Sequence, residues 1–392
     1  MVKLIEGHSL LKPNQAIDSA DSSKPIIFSF FAGSGFLDLG FERSGFDVRF
    51  VNEFHKPFYE AYKYSRRAMN YPEPKFEHHL GSIEEFLSGK PKKRLKQYVA
   101  SAKKDGLVGF IGGPPCPDFS VAGKNKGRDG DHGKLTESYI DTIIAFKPDF
   151  FLLENVKGLF SNKKHFLFYN EMKEKLESGG YLLTDRLTNC IEVGTPQDRD
   201  RILLFGIKRS KVKRAQQHKL TENFQWESYL RFNKDVVLNK SLWPTTTPYV
   251  ASSSLSAPEF SDGMEELTIE YWFRKNDVYN HPNAKHHFKP KAGLPKMQTI
   301  AEGDVSGKSF KRLHRWRHSA TAAYGNNEVH LHPYKDRRLS AAEALAIQSL
   351  PKEFVLPQDM GLSNMFKTIG NGVPYLLSEA IAKTIKDFLK TL

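Results

Sequence analysis

Between residues 26 and 207 the chain alternates short, wholly apolar runs with longer segments whose apolar positions recur at helical spacing. The run at 26–31 passes through a glycine turn into an amphipathic stretch and then into a second apolar run at 48–51. "GLVGFIGG" at 106–113, "DFFLLEN" at 149–155 and "RILLFGI" at 201–207 repeat the pattern, each with glycine or polar residues nearby. Continuous apolar runs of this length predict strands buried on both faces. Their alternation with helices predicts an α/β fold, a doubly wound, mostly parallel, Rossmann-like sheet. In such a sheet ligands lie beyond the carboxyl ends of the strands. Segments 31–35, 52–53, 114–120 and 154–155 all fall at such ends, so four separated stretches point to one crevice.

After residue 207 the rhythm stops. Basic runs, scattered tryptophans (Trp226, Trp243, Trp272, Trp316) and a loop-like stretch at 244–263 extend to about residue 340. The helix-like "SAAEALAIQSL" follows, and a glycine turn with an amphipathic helix begun near Pro374 closes the chain. The expected division is a catalytic and cofactor-binding domain at 1–207 plus 366–392, with a second, smaller domain at 208–365. A chain of 392 residues is long enough for both.

Charge narrows the class of partner. Lys and Arg number 58 against 45 Asp and Glu, a formal charge of +13, which favours a polyanion. The run at 208–219 carries six Lys/Arg and no acid, and the run at 308–319 carries five with two histidines. Each alone also suits a solvated face, but two runs bracketing one region point to phosphate-backbone contact. Two cysteines, Cys116 and Cys190, cannot staple a chain of this size and read as a reducing compartment. No metal-binding spacing is visible, and no apolar run approaches the roughly 18 to 20 residues that span a bilayer. The expectation is a soluble, intracellular protein.

The chemistry concentrates at the strand ends. Gly33 and Gly35 stand where backbone must pass close to a ligand, and Glu53, at the next strand end, suits ribose hydroxyls. That spacing also fits a nicotinamide dinucleotide. Asp38, however, stands at the third glycine position of such a fingerprint, which favours a nucleoside cofactor without a pyrophosphate. Cys116 is either a small buried hydrophobe or a soft nucleophile, only a few per cent ionised at neutral pH unless its site helps. Glu154 suits an acid for a ring nitrogen, or equally a capping carboxylate. "QDRDR" puts Gln197, Arg199 and Arg201 on one side of an extended segment, suited to an anion clamp or to a charged edge.

"FAGSGFLDLGFE", "NEF", "GGPPCPDFS", "ENVKG", "QDRDR", "RRLSAAEALAIQSLP" and "GNGVP", in that order, resemble the ordered motifs of the C5-cytosine DNA methyltransferases. The likeness runs over about 26–207 and 330–385. It implies a class I methyltransferase fold, the cofactor S-adenosylmethionine with S-adenosylhomocysteine as product, and a second domain that recognises the target. It also implies that Cys116 adds to C6 of a flipped-out cytosine while Glu154 holds or protonates N3. Arg199 would then support the bound base, and Arg201 would steady Glu154. By family position the cofactor residues are Phe31, Gly33, Gly35, Phe36, Leu37, Glu53, Phe54, Ser82, Ile83, Pro114, Asn371 and Val373.

Ser120, Lys124, Lys126 and Arg128 in the loop after the cysteine, with Gln197, Arg315 and Arg317, are the expected DNA contacts, the last two as readers of guanine. Phe36, Ser82, Pro117-Asp118 and His132 depart from the usual pattern; Ser82 stands where an aspartate often meets adenine. The resemblance further implies double-stranded DNA as substrate, a monomer, a bacterial cytoplasmic and nucleoid-associated setting, and a cognate restriction endonuclease as functional partner. Two rivals remain at this point: a transfer-RNA cytosine-5 methyltransferase and a catalytically silent DNA-binding homologue. A nicotinamide oxidoreductase is a distant third.

Overall fold

The computed structural model describes residues 24–115, 131–160, 163–261, 263–307, 309–322, 324 and 328–392, with the backbone alone at 131 and 132. Seven strands form one sheet: β1 (Ile26–Phe30), β2 (Asp47–Glu53), β3 (Glu77–Leu80), β4 (Val108–Gly112), β5 (Phe150–Val156), β6 (Tyr181–Asn189) and β7 (Asp200–Lys208). Their order is β3-β2-β1-β4-β5-β7-β6. β1 to β5 run parallel, and β7 runs antiparallel to both its neighbours. The sheet is thus mostly parallel, as its apolar runs require. The reversal of β7 brings its first residues to the carboxyl end of β5, where Val156 pairs with Arg201.

The two faces of the sheet hold different helices because successive strand residues point to opposite sides. Ile26, Phe28 and Phe30 join α3 (Gly89–Asp105), α4 (Asp131–Phe146) and α5 (Lys163–Ser178) through Leu95, Ile140 and Met172. Ile27, Ile111 and Leu152 face α1 (Phe36–Arg43) and the last helix, Tyr375–Leu389. That last helix lies so close to α1 that a Cβ on Gly40 would stand 2.1 Å from the Ser378 hydroxyl. The chain therefore returns after more than 330 residues to finish the face its first helix began. α2 (Lys56–Ala68) follows β2 on the same side, with Tyr62 packed against Ala32 and Val51.

Residues 208–365 do not collect around one core of their own. Val212, Leu220 and Phe224 lie on the sheet, with the Phe224 ring stacked on Phe205 at 4.4 Å. Ile269, Trp272 and Leu345 share a cluster with Phe36 and Leu39 of α1. A smaller group joins Val237, Trp243 and Met264 to Ile191. Among the described residues the region contributes no strand to a sheet and pairs in β fashion only through isolated bridges, such as Thr247 with Glu302. The sharp change at residue 207 is thus a change in sequence texture, and the packing crosses it.

Candidate active site

The turn after β1 holds three residues with left-handed backbone: Phe31 at φ 53°, Gly33 at 57° and Gly35 at 81°. The two glycines adopt it freely. A phenylalanine does so at a cost of order 1–3 kcal/mol, and such strain concentrates at functional sites. The Gly33 amide donates to Oε2 of Glu53 at 2.7 Å, and the His55 amide donates to Oε1 at 2.7 Å. Glu53 is thereby fixed at the carboxyl end of β2. Burial raises its carboxyl above the ordinary range, against the lowering effect of those amides. A Cβ at Gly33 would meet no atom within 4 Å. The glycine serves the turn, and there is space beside it.

The neighbouring expectations sort into side chains with room for a ligand and side chains already engaged. Phe54 is 73% exposed immediately after the buried Glu53. Asn52 Nδ2 holds the Gly81 carbonyl at 2.8 Å, bringing the segment with Ser82 and Ile83 beside β2. The Ser82 hydroxyl, half-buried, caps the short helix Ile83–Leu87, and the Ile83 side chain is buried and closed to a ligand. Phe36 and Leu37 likewise lie in the core. The Phe36 ring meets Phe354 edge-on at 5.0 Å, and a Cβ on Gly372 would fall 2.2 Å from it. What these two offer a ligand is the main chain of the first turn of α1. Asn371 is exposed where helix Leu362–Asn371 ends, and Val373 is buried in the cluster that contains Leu37. Ser34 Oγ and Thr368 Oγ1, 2.7 Å apart, tie that helix to the turn.

Glu154 lies near the end of β5, only 7% exposed, with Arg201 Nε 2.8 Å from its Oε1. Burial raises the Glu154 carboxyl, opposed by the charges of Arg201 and Arg199. Gly113, just past β4, lies against the other oxygen: a Cβ there would be 2.7 Å from Oε2. The chain continues from that glycine through Pro114, which is buried, toward Cys116. Cys116, Ser120, Lys124, Lys126 and Arg128 lie outside the described residues. The second cysteine, Cys190, is fully buried, and burial pushes its thiol up to about 12, the state of an inert core sulfur.

The remaining polar expectations turn inward. Arg199, 2% exposed, donates to the carbonyls of Ala322 and Gly370, each at 2.8 Å. It bridges the sheet to two later segments, and its Nε is buried without a partner among the described residues. Burial, with the charge of Arg201, pushes its guanidinium down to about 9. Gln197 is fully buried, its amide on Gln348 at 3.1 Å and its oxygen accepting from the Ala322 amide at 2.9 Å. Arg315, 4% exposed, makes a two-pronged pair with Glu302 at 2.8 Å and bonds both backbone and side chain of Ser253. Arg317 donates to the Pro244 carbonyl at 2.5 Å. In this arrangement Gln197 and Arg315 join segments of the chain, and Arg317 is half-buried with its Nε on a neighbouring segment. Reading guanine would require Arg315 to abandon a buried ion pair.

One cluster below the turn escaped the sequence reading. Arg66 of α2 pairs with Glu42 of α1 at 2.8 Å and donates to the Gly35 carbonyl at 2.6 Å, while Asp38 accepts from Ser29 Oγ at 2.8 Å. The signal was Asp38 itself, an acid where a glycine is expected.

The chain matches the family model of C-5 cytosine-specific DNA methylases over residues 26–387. It is 56% identical over 371 residues to the type II methyltransferase M.NmeDI of Neisseria meningitidis serogroup C, covering 94% of this chain and 85% of that protein. It is 28% identical over 370 residues to M.FnuDI of Fusobacterium nucleatum, covering 93% and 94%. Among solved structures, the Dnmt2 methyltransferase of S. pombe superposes with a TM-score of 0.58 at 12% identity, over 94% of this chain and 99% of that one. Among the described residues no helix is long and apolar enough to cross a membrane.

Proposed function

The chain belongs to the C-5 cytosine-specific DNA methylases, and from that premise we propose that it methylates C5 of a cytosine turned out of duplex DNA, through a transient bond between Cys116 and C6. It is a DNA cytosine-5 methyltransferase, and the family and fold imply S-adenosylmethionine as methyl donor. The observation that carries the finer reading is the buried Glu154–Arg201 pair lying against the bare face of Gly113, three residues before Cys116.

The turn residues fit the cofactor. Glu53, oriented by two amides, suits the ribose hydroxyls, and the space at Gly33 with the exposed Phe54 ring suits the adenosine. When bound, S-adenosylmethionine supplies a methyl group on an electrophilic sulfonium. The Cys116 thiolate adds to C6, and the ring electrons so displaced are drawn toward N3, where Glu154 holds the proton. Its raised pKa favours the protonated carboxyl this task needs. Arg201 fixes the orientation of that carboxyl, and C5, now electron-rich, would take the methyl group the bound cofactor supplies, leaving S-adenosylhomocysteine, as the N3 proton returns to Glu154. Loss of the C5 proton to solvent then expels the Cys116 thiolate and restores the C5–C6 double bond.

A base inside the duplex cannot reach a strand-end crevice, so it leaves the stack at a cost of a few kcal/mol. Lys124, Lys126 and Arg128 supply phosphate contacts, which repay part of that cost. The enzyme acts as a monomer and serves as the modification half of a restriction-modification pair, shielding a site from a partner nuclease. Bisulfite sequencing of DNA from cells expressing the chain tests the reading. Protected cytosines in one sequence context are expected, and protection without a common context would count against it. Tritiated cofactor offered with duplex DNA or transfer RNA should label the DNA.

A further inference from the structure

Arg66 sits where no ligand contact is assigned, yet it touches the cofactor turn. The residue is 4% exposed, and its guanidinium stacks on the Tyr62 ring, 4.4 Å from the centroid. Nε pairs with Glu42, 2.8 Å away, on the outer half of α1. NH2 reaches past α1 to the Gly35 carbonyl at 2.6 Å. Gly35 has the most strongly left-handed φ of the turn, and it precedes the first residue of α1. A Cβ on it would strike the Tyr62 ring at 2.6 Å and Arg66 NH2 at 2.7 Å, so turn and guanidinium are fitted to each other.

Burying a guanidinium costs several kcal/mol, which an ion pair offsets only with good geometry and further hydrogen bonds. Tying α1 to α2 would need only the contact with Glu42. The second contact falls on the Gly35 carbonyl, which also accepts from the Leu39 amide at 3.0 Å where the αL turn enters α1, while Asp38, in the same helix as Glu42, fastens α1 to β1 through Ser29.

We propose that Arg66 is a positioning residue for the cofactor: by holding the Gly35 carbonyl it presets the 31–35 turn, and with it the amide that orients Glu53, in the binding-ready form. The proposal rests on the reading that this turn and Glu53 bind S-adenosylmethionine. Lysine keeps a charge beside Glu42 but lacks the fork that reaches both partners.

The test measures S-adenosylhomocysteine affinity by calorimetry on the full chain, with duplex-DNA affinity and melting temperature alongside. Arg66→Lys should weaken that affinity about tenfold, the scale of one charged hydrogen bond, while leaving DNA affinity unchanged. The double variant Glu42→Gln with Arg66→Met removes the Arg66–Glu42 pair as a unit, leaving Asp38 on Ser29, and should show the same loss. Affinity within about twofold of wild type in either folded variant overturns the proposal, as does parallel loss of DNA affinity. Failure of both variants to fold also overturns it, since Arg66 would then determine the fold. Glu53→Ala separates the two levels. If it leaves affinity unchanged, the cofactor reading of the turn fails; if it weakens binding and the Arg66 variants do not, only the role of Arg66 fails.

Discussion

At the end of β2, Glu53 is oriented by two main-chain amides at 2.7 Å, with open space beside the glycine that supplies one of them. In the basic stretch that begins at residue 308, Arg315 is closed in by Glu302, by Ser253 and by the Tyr334 ring, 4.2 Å away. Both are buried charged groups, but the first is held in place with capacity left over and the second spends most of its donors inside the chain. A cluster of cations in a sequence reports a nucleic-acid partner only through its total charge. Whether a given arginine meets that partner depends on what else can satisfy it, and in this stretch Glu302 and several carbonyls do so first.

The largest expected effect tests the chemistry at the strand ends. Cys116→Ser should lower methyl transfer by at least about a thousandfold, because a serine hydroxyl is hardly ionised at neutral pH, while S-adenosylhomocysteine binding stays as it was. An unchanged rate would remove the covalent step. Gly113→Ala comes next. Its new methyl would crowd Glu154 Oε2 and should cost about 10²–10⁴-fold in kcat, the range of a displaced general acid, again with cofactor affinity retained.

Two smaller effects probe the opposite side of the comparison. Arg315→Met leaves Glu302 buried and unpaired, so urea denaturation should show a loss of about 3–5 kcal/mol with site preference unchanged. Retained stability with relaxed preference would instead make Arg315 a reader of DNA. The smallest effect concerns His330 and His314, whose burial holds them down at about 3 and about 4. The unfolded chain binds their protons below about pH 6.5 and the native chain does not. Stability should therefore fall as pH drops from about 6.5 toward 4, and His330→Phe should flatten that fall in the urea midpoint.

The strands that place the site were legible because each is a run buried on both faces. β1, β4 and β5 need no partner to be recognised; Glu154 lies in the last of these, and Glu53 closes β2, whose final four residues are buried. β3, four residues reading Glu-His-His-Leu at the sheet edge, carries no such signal. Arg201 on Glu154 was anticipated from the motif. The geometry of Arg199 was not, since its partners Ala322 and Gly370 lie 123 and 171 residues away and are backbone carbonyls, which no side-chain pattern announces. The same holds for Phe36, whose ring is accommodated by a missing side chain at Gly372. The change of texture at residue 207 carries no sign that α1 shares an apolar cluster with Trp272 and Leu345, because that contact joins segments more than 200 positions apart.

The pairing of the first helix with the last has a consequence for how the molecule comes into being. Ser378 Oγ donates to the carbonyl of Leu37 across 341 positions of chain. A ribosome adding about 5 to 20 residues per second needs roughly 20 to 70 seconds to cover that interval. Through all of it the nascent β1–α1 unit stands with one greasy flank uncovered, a natural client for chaperones. Methylating competence arrives only once the closing segment has emerged, so interrupted synthesis leaves fragments that cannot complete the fold.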